Sequence, residues 1–237
     1  AGPAGLAIAL YLSRAGHSPV IFEQFEKPAP VGSGLILQPT GLSVLADLGL
    51  LPAIMALGNR IERLYGEDAR TGRTVLDVRY AALSKHRFGL AVHRAALFTV
   101  LHDSVKAAGI MIETSREISG IEQAPAGAFL MDKSGKRHGP FDLVADCSGA
   151  RSRLRSKMNP PRELAYGALW ASLDHVPIGL DDHALVQRYD KASVMIGVLP
   201  MGRSEPGGRK QAAFFWSIKP KDYAAVQAAG LNAWKHR

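Results

Sequence analysis

The chain has 237 residues, of which 47% are hydrophobic and 21% are charged, a balance typical of a globular protein with a buried core. Its formal net charge of +8 predicts anionic partners. Its single cysteine excludes an intramolecular disulfide framework and a cysteine-only zinc site. No apolar run reaches the ~18 residues of a membrane-spanning helix. The charge alone leaves nucleic acids and phosphate-bearing cofactors open as partners.

The first motif is Gly2-Pro3-Ala4-Gly5, which has the spacing of the last two glycines of a G-x-G-x-x-G motif. Pro3 suits the first turn of a helix, because the N–H group that proline lacks has no partner there. We predict a helix as far as Gly16 and then a short strand at residues 19–22. Glu23 ends that strand eighteen residues after Gly5, close to the ~20 of a dinucleotide-binding unit.

Each of these residues has a physical role in a dinucleotide site. Gly2 lets the backbone approach a pyrophosphate, and Gly5 lets the helix pack closely on its strand. The helix N-terminus offers free N–H groups and a partial positive charge. Glu23 accepts hydrogen bonds from the adenosine ribose, and its charge disfavours a 2′-phosphate. The alternative is a helix start and a strand end that coincide by chance, but the order of helix, strand and acid favours the dinucleotide.

The next segments are predicted from local patterns. Within the first of them, Gly32-Ser33-Gly34 either forms an ordinary connection or lets the backbone pass close to a ligand. The predicted elements are a loop at residues 27–39, a helix at 41–48 with Thr40 as its N-cap, a hairpin formed by 61–67 and 73–80, and a strand at 89–92.

Arg94 precedes a predicted helix at residues 95–108, which Gly109 ends. A cation at a helix N-terminus opposes the helix dipole, so the position is mildly unfavourable unless an anion lies near it. From the residues alone, Arg94 is either a solvated arginine or the partner of such an anion.

Further strands are predicted at residues 110–113, 117–123, 128–132 and 142–145. Residues 151–157 carry the densest run of basic side chains, for which a solvated helix face is the common explanation. No aromatic residue interrupts the run and no nucleic-acid-binding motif is present, so we predict no nucleic-acid partner.

The last third of the chain has a different character, with strand-like segments at residues 168–173, 184–189, 193–199 and 211–218 and a helix at 222–230. Its aromatic residues form either the core of a sheet or the wall of a ligand site. They are Trp170, Tyr189, Phe214, Phe215 and Trp216.

Three motifs stand in order along the chain: Gly2-Pro3-Ala4-Gly5 with Glu23-Gln24, Val-His-Arg-Ala-Ala-Leu at residues 92–97, and the segment 142–155, which contains Asp-Cys-Ser-Gly-Ala-Arg. Together they resemble the single-component FAD-dependent aromatic hydroxylases, the para-hydroxybenzoate hydroxylase-like flavoprotein monooxygenases. The resemblance covers essentially the whole chain, and the combination is more specific than any one motif.

The resemblance implies an α/β fold: a Rossmann-like, FAD/NAD(P)-binding three-layer ββα domain with a second, mixed β-sheet substrate domain. The FAD-binding domain would comprise residues 1–60 and 93–160 and would be incomplete. The discontinuous substrate domain would comprise residues 61–92 and 161–237.

The resemblance also implies the cofactor-binding residues. The glycine motif would hold the FAD pyrophosphate, the acid would hold the adenosine ribose, the arginine would contact FAD, and the third motif would serve both FAD and the transient NAD(P)H. The residues are Gly2, Pro3, Ala4, Gly5, Glu23, Gln24, Arg94, Ser148 and Gly149. The catalytic residues stay unassigned, and no metal is predicted; His175, His183, Tyr166 and Tyr189 are acid or base candidates only by residue type.

Two departures from the family pattern stand out. Ser148 occupies a position where the family usually has aspartate, so a hydrogen-bonding group is kept but a charge is lost. The family's later Gly-Asp motif and the strand before the first motif are both missing. We therefore expect the chain to be an internal piece of a longer protein and to be inactive by itself.

The implied function is an FAD-dependent monooxygenase, in which NAD(P)H and O2 serve the hydroxylation of an aromatic or other electron-rich small molecule through a flavin C4a-hydroperoxide. The alternatives are a halogenase or prenyl reductase on the same scaffold, or a non-catalytic nucleotide-binding fragment. The tryptophans are isolated in the sequence, so the Trp-x-Trp-x-Ile-Pro motif of halogenases is not present. We expect a cytoplasmic protein without a transmembrane segment, or a peripheral membrane protein if its substrate is prenylated.

Overall fold

The structure, a computed structural model, describes residues 1–29, 32–82, 84–155, 164–175 and 179–235. The helices in this part of the chain are α1 (Pro3–Arg14), α2 (Pro39–Asp47), α3 (Leu51–Leu57), α4 (Arg94–Ala107) and α5 (Tyr223–Lys235). The strands are β1 (Val20–Phe22), β2 (Gly34–Leu37), β3 (Asn59–Ile61), β4 (Arg63–Asp68), β5 (Thr74–Arg79), β6 (Gly89–His93), β7 (Met111–Glu113), β8 (Ile118–Ala124), β9 (Gly127–Asp132), β10 (Arg137–Phe141), β11 (Gly167–Asp174), β12 (Ala184–Asp190), β13 (Val194–Pro200) and β14 (Gln211–Ile218).

The chain divides into two compact units. Unit 1 contains Ala1–Val31 and Leu97–Arg162, and unit 2 contains Gly32–Ala96 and Glu163–Arg237. Residues 32–60, which we assigned with the FAD-binding segment from the sequence, cluster with unit 2. The functional assignment of the two domains stays a prediction. No helix formed by the described residues is long and apolar enough to cross a membrane.

Unit 1 contains α1, a parallel pair of strands, β1 and β7, and a three-stranded antiparallel sheet in the order β10-β9-β8. Helix α1 buries Leu6, Ala9 and Leu10. Gly16 follows its end with φ +85°, a conformation that glycine adopts without steric cost. Within α4, the side chains of Leu97, Leu101 and Val105 are buried at the predicted helical spacing.

Several local predictions were wrong. Residues 142–145 form no strand, because none of the described strands pairs with them, and Leu143 is 68% exposed. Residues 34–37 form β2 rather than loop, since they pair with β6. Thr40 lies inside α2 and does not cap it; Gln38 is the N-cap residue and Pro39 is the first helical residue.

Unit 2 has a six-stranded sheet in the order β11-β14-β13-β12-β4-β5 and a three-stranded antiparallel sheet in the order β2-β6-β3. Within the larger sheet, β12 runs parallel to β4 and the other neighbours are antiparallel, so the predicted mixed sheet is confirmed. The core of the unit joins side chains from both sheets and the segments that follow them: Ile61, Tyr80, Ala91, Leu199, Met201 and Ala213.

The buried carboxylate of Asp132 forms hydrogen bonds that stabilise the β9–β10 hairpin of unit 1. The Oδ2 atom of Asp132 lies 3.0 Å from His138 Nε2, and both side chains are buried. The backbone N–H groups of Ser134 and Lys136 donate to Oδ1 of Asp132 at 2.9 and 3.0 Å. Hydrogen bonds from the Ser134 hydroxyl and from His138 outweigh the effect of desolvation and hold the pKa of Asp132 well below its usual range.

We expect Asp132→Asn to destabilise the complete gene product at neutral pH. A carboxyl whose pKa is lowered by folding stabilises the native state above its unfolded pKa of about 4, and this contribution is lost as the pH falls further. The difference between wild type and variant in urea midpoint should therefore shrink as the pH falls below about 4. Asp142→Asn, at an exposed carboxylate of the same unit, is the control. A difference that grows in acid would contradict this assignment.

Candidate cofactor-binding site

The N-terminus of α1 is open at its backbone N–H groups. Gly2 is the N-cap residue and Pro3 is the first helical residue, and the first turn has neither an acidic residue nor a side-chain cap. A Cβ atom placed on Gly2 would meet nothing within 4 Å. The first N–H groups of a helix have no intrahelical acceptor and carry a partial positive charge. This end of α1 is therefore suited to an anion.

The segment around Cys147 lies against the first turn of α1. A Cβ atom on Gly5 would stand 3.4 Å from Cys147 Cβ, so a larger side chain than alanine would force the two segments apart. Burial raises the pKa of the Cys147 thiol, which keeps it protonated at neutral pH. The structure thus brings Gly5 next to the segment that carries Ser148, which follows residues 142–145.

Glu23 directly follows β1 and is buried. Its backbone N–H donates to Glu113 O at 2.8 Å, which continues the pairing of β1 with β7. Its carboxylate accepts the Phe25 N–H at 3.0 Å. Gln24, the next residue in the chain, is exposed to solvent.

Asp146 organises the loop that contains Ser148 and Gly149. Its carboxylate accepts the Ser148 N–H at 3.0 Å and the hydroxyl of Ser152. Burial opposes its ionisation, but the hydrogen bonds from Ser152 and Ser148 outweigh burial and lower the pKa of Asp146. Gly149 has φ +77° and open space at its Cβ position. The negative charge near Ser148 is therefore engaged within the loop. The basic run that follows continues past residue 155, outside the described residues.

Arg94 lies in unit 2, at the start of α4, and is exposed. Its backbone N–H donates to Ser33 O at 2.9 Å. Its side chain crosses Gly32, where a Cβ atom would stand 2.8 Å from Arg94 Cδ. Gly32 also has φ +106°, a conformation that is unfavourable for residues other than glycine. Glycine at this position thus permits the positive φ of the loop and leaves space for the arginine side chain.

The four acid or base candidates chosen by residue type have structural partners in unit 2. His175 Nε2 lies 3.1 Å from Asp182 Oδ1, and His183 Nδ1 lies 3.1 Å from the Arg60 carbonyl oxygen. The Tyr189 hydroxyl donates to Gln187 at 3.0 Å, and burial raises the pKa of Tyr189. The ammonium of Lys219 lies 5.5 Å from the ring centre of Tyr166. None of these contacts singles out a catalytic acid or base.

His93, to which the sequence motif assigned no role, joins two parts of unit 2. Its Nδ1 accepts the Ala95 N–H at 3.1 Å in the first turn of α4. Its Nε2 lies 3.3 Å from Ser172 Oγ in β11. The only sequence signal was its position before Arg94, because the contact with Ser172 spans 79 residues.

Comparison with known proteins finds similar sequences along most of the chain. A family model described as "FAD binding domain" matches residues 1–221. The 3-amino-4-hydroxybenzoate 2-monooxygenase of Streptomyces cremeus is 31% identical over 172 residues, which cover 70% of this chain and 43% of that protein. The chain thus spans less than half the length of this relative.

Solved structures share the fold. The 2-methyl-3-hydroxypyridine-5-carboxylic acid oxygenase matches with a TM-score of 0.76 at 17% identity, over 93% of this chain and 57% of that chain. HpxO of Klebsiella pneumoniae, solved with FAD and uric acid, matches with a TM-score of 0.74 at 17% identity, over 92% of this chain and 54% of that chain. The predicted α/β fold class with a Rossmann-like FAD-binding fold is confirmed.

Proposed function

Because the chain belongs to the FAD-dependent aromatic hydroxylase family, we propose that the complete gene product is an FAD-dependent monooxygenase. It would use NAD(P)H and O2 to hydroxylate an aromatic or other electron-rich small molecule. The observation that best supports this proposal is that unit 1 carries both an open, acid-free helix start and the buried carboxylate of Glu23 at the end of β1. The absence of a membrane-spanning helix in the described residues is compatible with a cytoplasmic location.

In this proposal, the residues of unit 1 bind the dinucleotide part of FAD. Residues 2–5 present backbone N–H groups to the pyrophosphate, and Gly2 leaves room for its oxygens. Glu23 accepts hydrogen bonds from the ribose hydroxyls, and Gln24 flanks it. Ser148 and Gly149 offer uncharged hydrogen-bonding groups, since the carboxylate of Asp146 is already engaged. No acidic side chain of the first helical turn opposes the phosphate charge.

Arg94 of unit 2 supplies a positive charge for the cofactor. Its position at a helix N-terminus is electrostatically unfavourable by a few tenths of a kcal/mol without an anion nearby, and a cofactor phosphate would supply that anion. Gly32 leaves the space through which the arginine side chain passes.

Bound FAD would supply the redox and oxygen-transfer chemistry, so the protein has to orient the substrate and exclude water. The large sheet of unit 2 is suited to the first task, because it carries both buried and exposed aromatic residues. Phe215 belongs to the core of the unit, whereas Trp170 is 49% exposed. The relative from Streptomyces cremeus is named for a hydroxylated aminobenzoate, which supports an aromatic substrate for this protein. Neither alternative reaction on this scaffold has an observation in its favour.

The complete gene product should be yellow and should lose its flavin absorbance when NADH or NADPH is added without oxygen. Readmission of air should restore the absorbance, and an aromatic substrate should accelerate the bleaching. Absorption spectroscopy in an anaerobic cuvette measures both steps. A folded gene product that binds no FAD would refute the proposal, and one that binds FAD but is not reduced by either nucleotide would reduce it to a flavin-binding protein.

A further inference from the structure

Three polar side chains from distant parts of the sequence meet within unit 2. Ser33 precedes β2, His93 ends β6, and Ser172 lies in β11. The Ser172 Oγ atom is 2.9 Å from Ser33 Oγ and 3.3 Å from His93 Nε2. Ser33 is buried and only 8% exposed, whereas Ser172 is exposed. We call these three residues the hydroxyl cluster.

The hydrogen bonds determine which atoms of the cluster donate. His93 Nδ1 accepts the backbone N–H of Ala95 at 3.1 Å, so in the neutral imidazole the proton is on Nε2. Burial lowers the pKa of His93 and favours this neutral form. His93 Nε2 therefore donates to Ser172 Oγ, and the histidine cannot take up a proton without losing its contact with the first turn of α4.

This arrangement leaves the Ser172 hydrogen available. A serine hydroxyl has one hydrogen and two lone pairs, and His93 occupies one of the lone pairs. The Ser172 hydrogen can point to Ser33 in the free protein. When a ligand acceptor approaches the exposed side of Ser172, Ser33 can donate its hydrogen to Ser172 Oγ instead. Ser172 can then donate its own hydrogen to the ligand acceptor. The buried Ser33 hydroxyl thus keeps a partner in both states.

An aromatic surface lies beside the cluster on the same face of the sheet. Trp170 is two residues before Ser172 in β11, and side chains two residues apart share a face. The rings of Trp170 and Phe215 lie 4.8 Å apart with an interplanar angle of 32°. Phe215 lies over Gly197, where a Cβ atom would stand 2.2 Å from the phenyl ring. The backbone register pairs Trp170 with Phe215 and Ser172 with Ala213, so the cluster and the rings occupy adjacent rows.

We propose that Trp170 and Ser172 form a substrate subsite, in which an aromatic ring lies against the indole and Ser172 donates a hydrogen bond to a phenolic oxygen on that ring. His93 and Ser33 are positioning residues that orient the Ser172 hydroxyl. Trp170 offers a half-exposed aromatic ring, the neighbouring row presents the oriented Ser172 hydroxyl, and all members of the cluster are neutral. The subsite rests on the proposed function for its claim that the ligand is a substrate.

The test uses the FAD-loaded complete gene product with 3-hydroxybenzoate and benzoate as matched probes, and Kd is measured from the change in flavin absorbance. Wild type should prefer 3-hydroxybenzoate. Ser172→Ala should weaken its binding about tenfold, the effect of one lost hydrogen bond, and leave the Kd for benzoate within about twofold. Ser172→Thr, which keeps the hydroxyl, should restore the preference. His93→Ala should reduce the preference for 3-hydroxybenzoate, measured as the Kd for benzoate divided by the Kd for 3-hydroxybenzoate, while the FAD content stays constant.

Ser193→Ala is the matched control, because Ser193 is an exposed serine of the same unit whose hydroxyl bonds within its own turn. Equal loss of both probes in Ser172→Ala, or a wild type without preference for the hydroxylated probe, would overturn the subsite. These outcomes are distinguishable from failure of the proposed function, in which no FAD-loaded, NAD(P)H-reducible protein forms at all.

Discussion

Replacing Glu23 by alanine should weaken FAD binding to the complete gene product about 10- to 100-fold, which corresponds to about 1.4–2.8 kcal/mol. The carboxylate is buried at the end of β1, and hydrogen bonds to a charged group contribute about 1.5–3 kcal/mol. Glu23→Gln keeps the size and one acceptor oxygen but loses the charge, so its effect should be intermediate. The quenching of FAD fluorescence by the apoprotein measures the three affinities.

Glu26 provides the matched control for this experiment. It is a glutamate three residues later in the chain and is exposed to solvent, so Glu26→Ala should change the Kd for FAD less than about twofold. Circular dichroism should show that Glu23→Ala remains folded. An unchanged FAD affinity in a folded Glu23→Ala protein would show that this carboxylate does not bind the ribose.

Replacing Gly202 by alanine should destabilise the protein by about 3 kcal/mol or more, at the upper end of the cost of overpacking. A Cβ atom at this position would stand 1.7 Å from the carbonyl oxygen of Leu57. That oxygen already accepts the Arg203 N–H at 2.7 Å, and Gly202 O accepts the Gln211 N–H at 3.0 Å. Because backbone on both sides is held by hydrogen bonds, the clash cannot be relieved by rotating a side chain.

Gly41→Ala is the opposite case and serves as control. Gly41 lies inside α2, and its added Cβ would meet only Leu37 Cδ2 at 3.7 Å. Alanine in a helix interior is favoured over glycine by about 0.5–1 kcal/mol, so this variant should be slightly more stable than wild type. Urea unfolding followed by circular dichroism compares the two. A Gly202→Ala protein with the wild-type midpoint would refute the steric argument, whereas failure to recover folded protein is its extreme form.

Local patterns were sufficient for elements whose signal lies within one segment. The α1 helix and the strand before Glu23 follow from an apolar run punctuated by Pro3 and Gly16. The hairpin of β4 and β5 and the antiparallel strands β12 to β14 follow from apolar, β-branched and aromatic runs between turns. In each case the neighbouring residues in the sequence supply most of the physical cause.

Pairing between distant segments was beyond these patterns. Residues 142–145 are as apolar as a strand but have no partner among the described strands, whereas β2 exists because β6 lies beside it. A strand is stabilised by its neighbour's N–H and C=O groups, and a single segment carries no record of which neighbour it meets.

The same division applies to the candidate site. The sequence by itself determined the residue types and spacings that predict a dinucleotide: the glycine motif, Glu23 eighteen residues after Gly5, and Arg94 before a helix. Only the tertiary structure decided that Cys147 lies against Gly5, that Gly202 meets Leu57, and that Ser172 joins His93 and Ser33. These contacts depend on the folding of segments up to 139 residues apart, and hydrogen bonds and steric contacts act only over a few ångströms once folding has brought their atoms together.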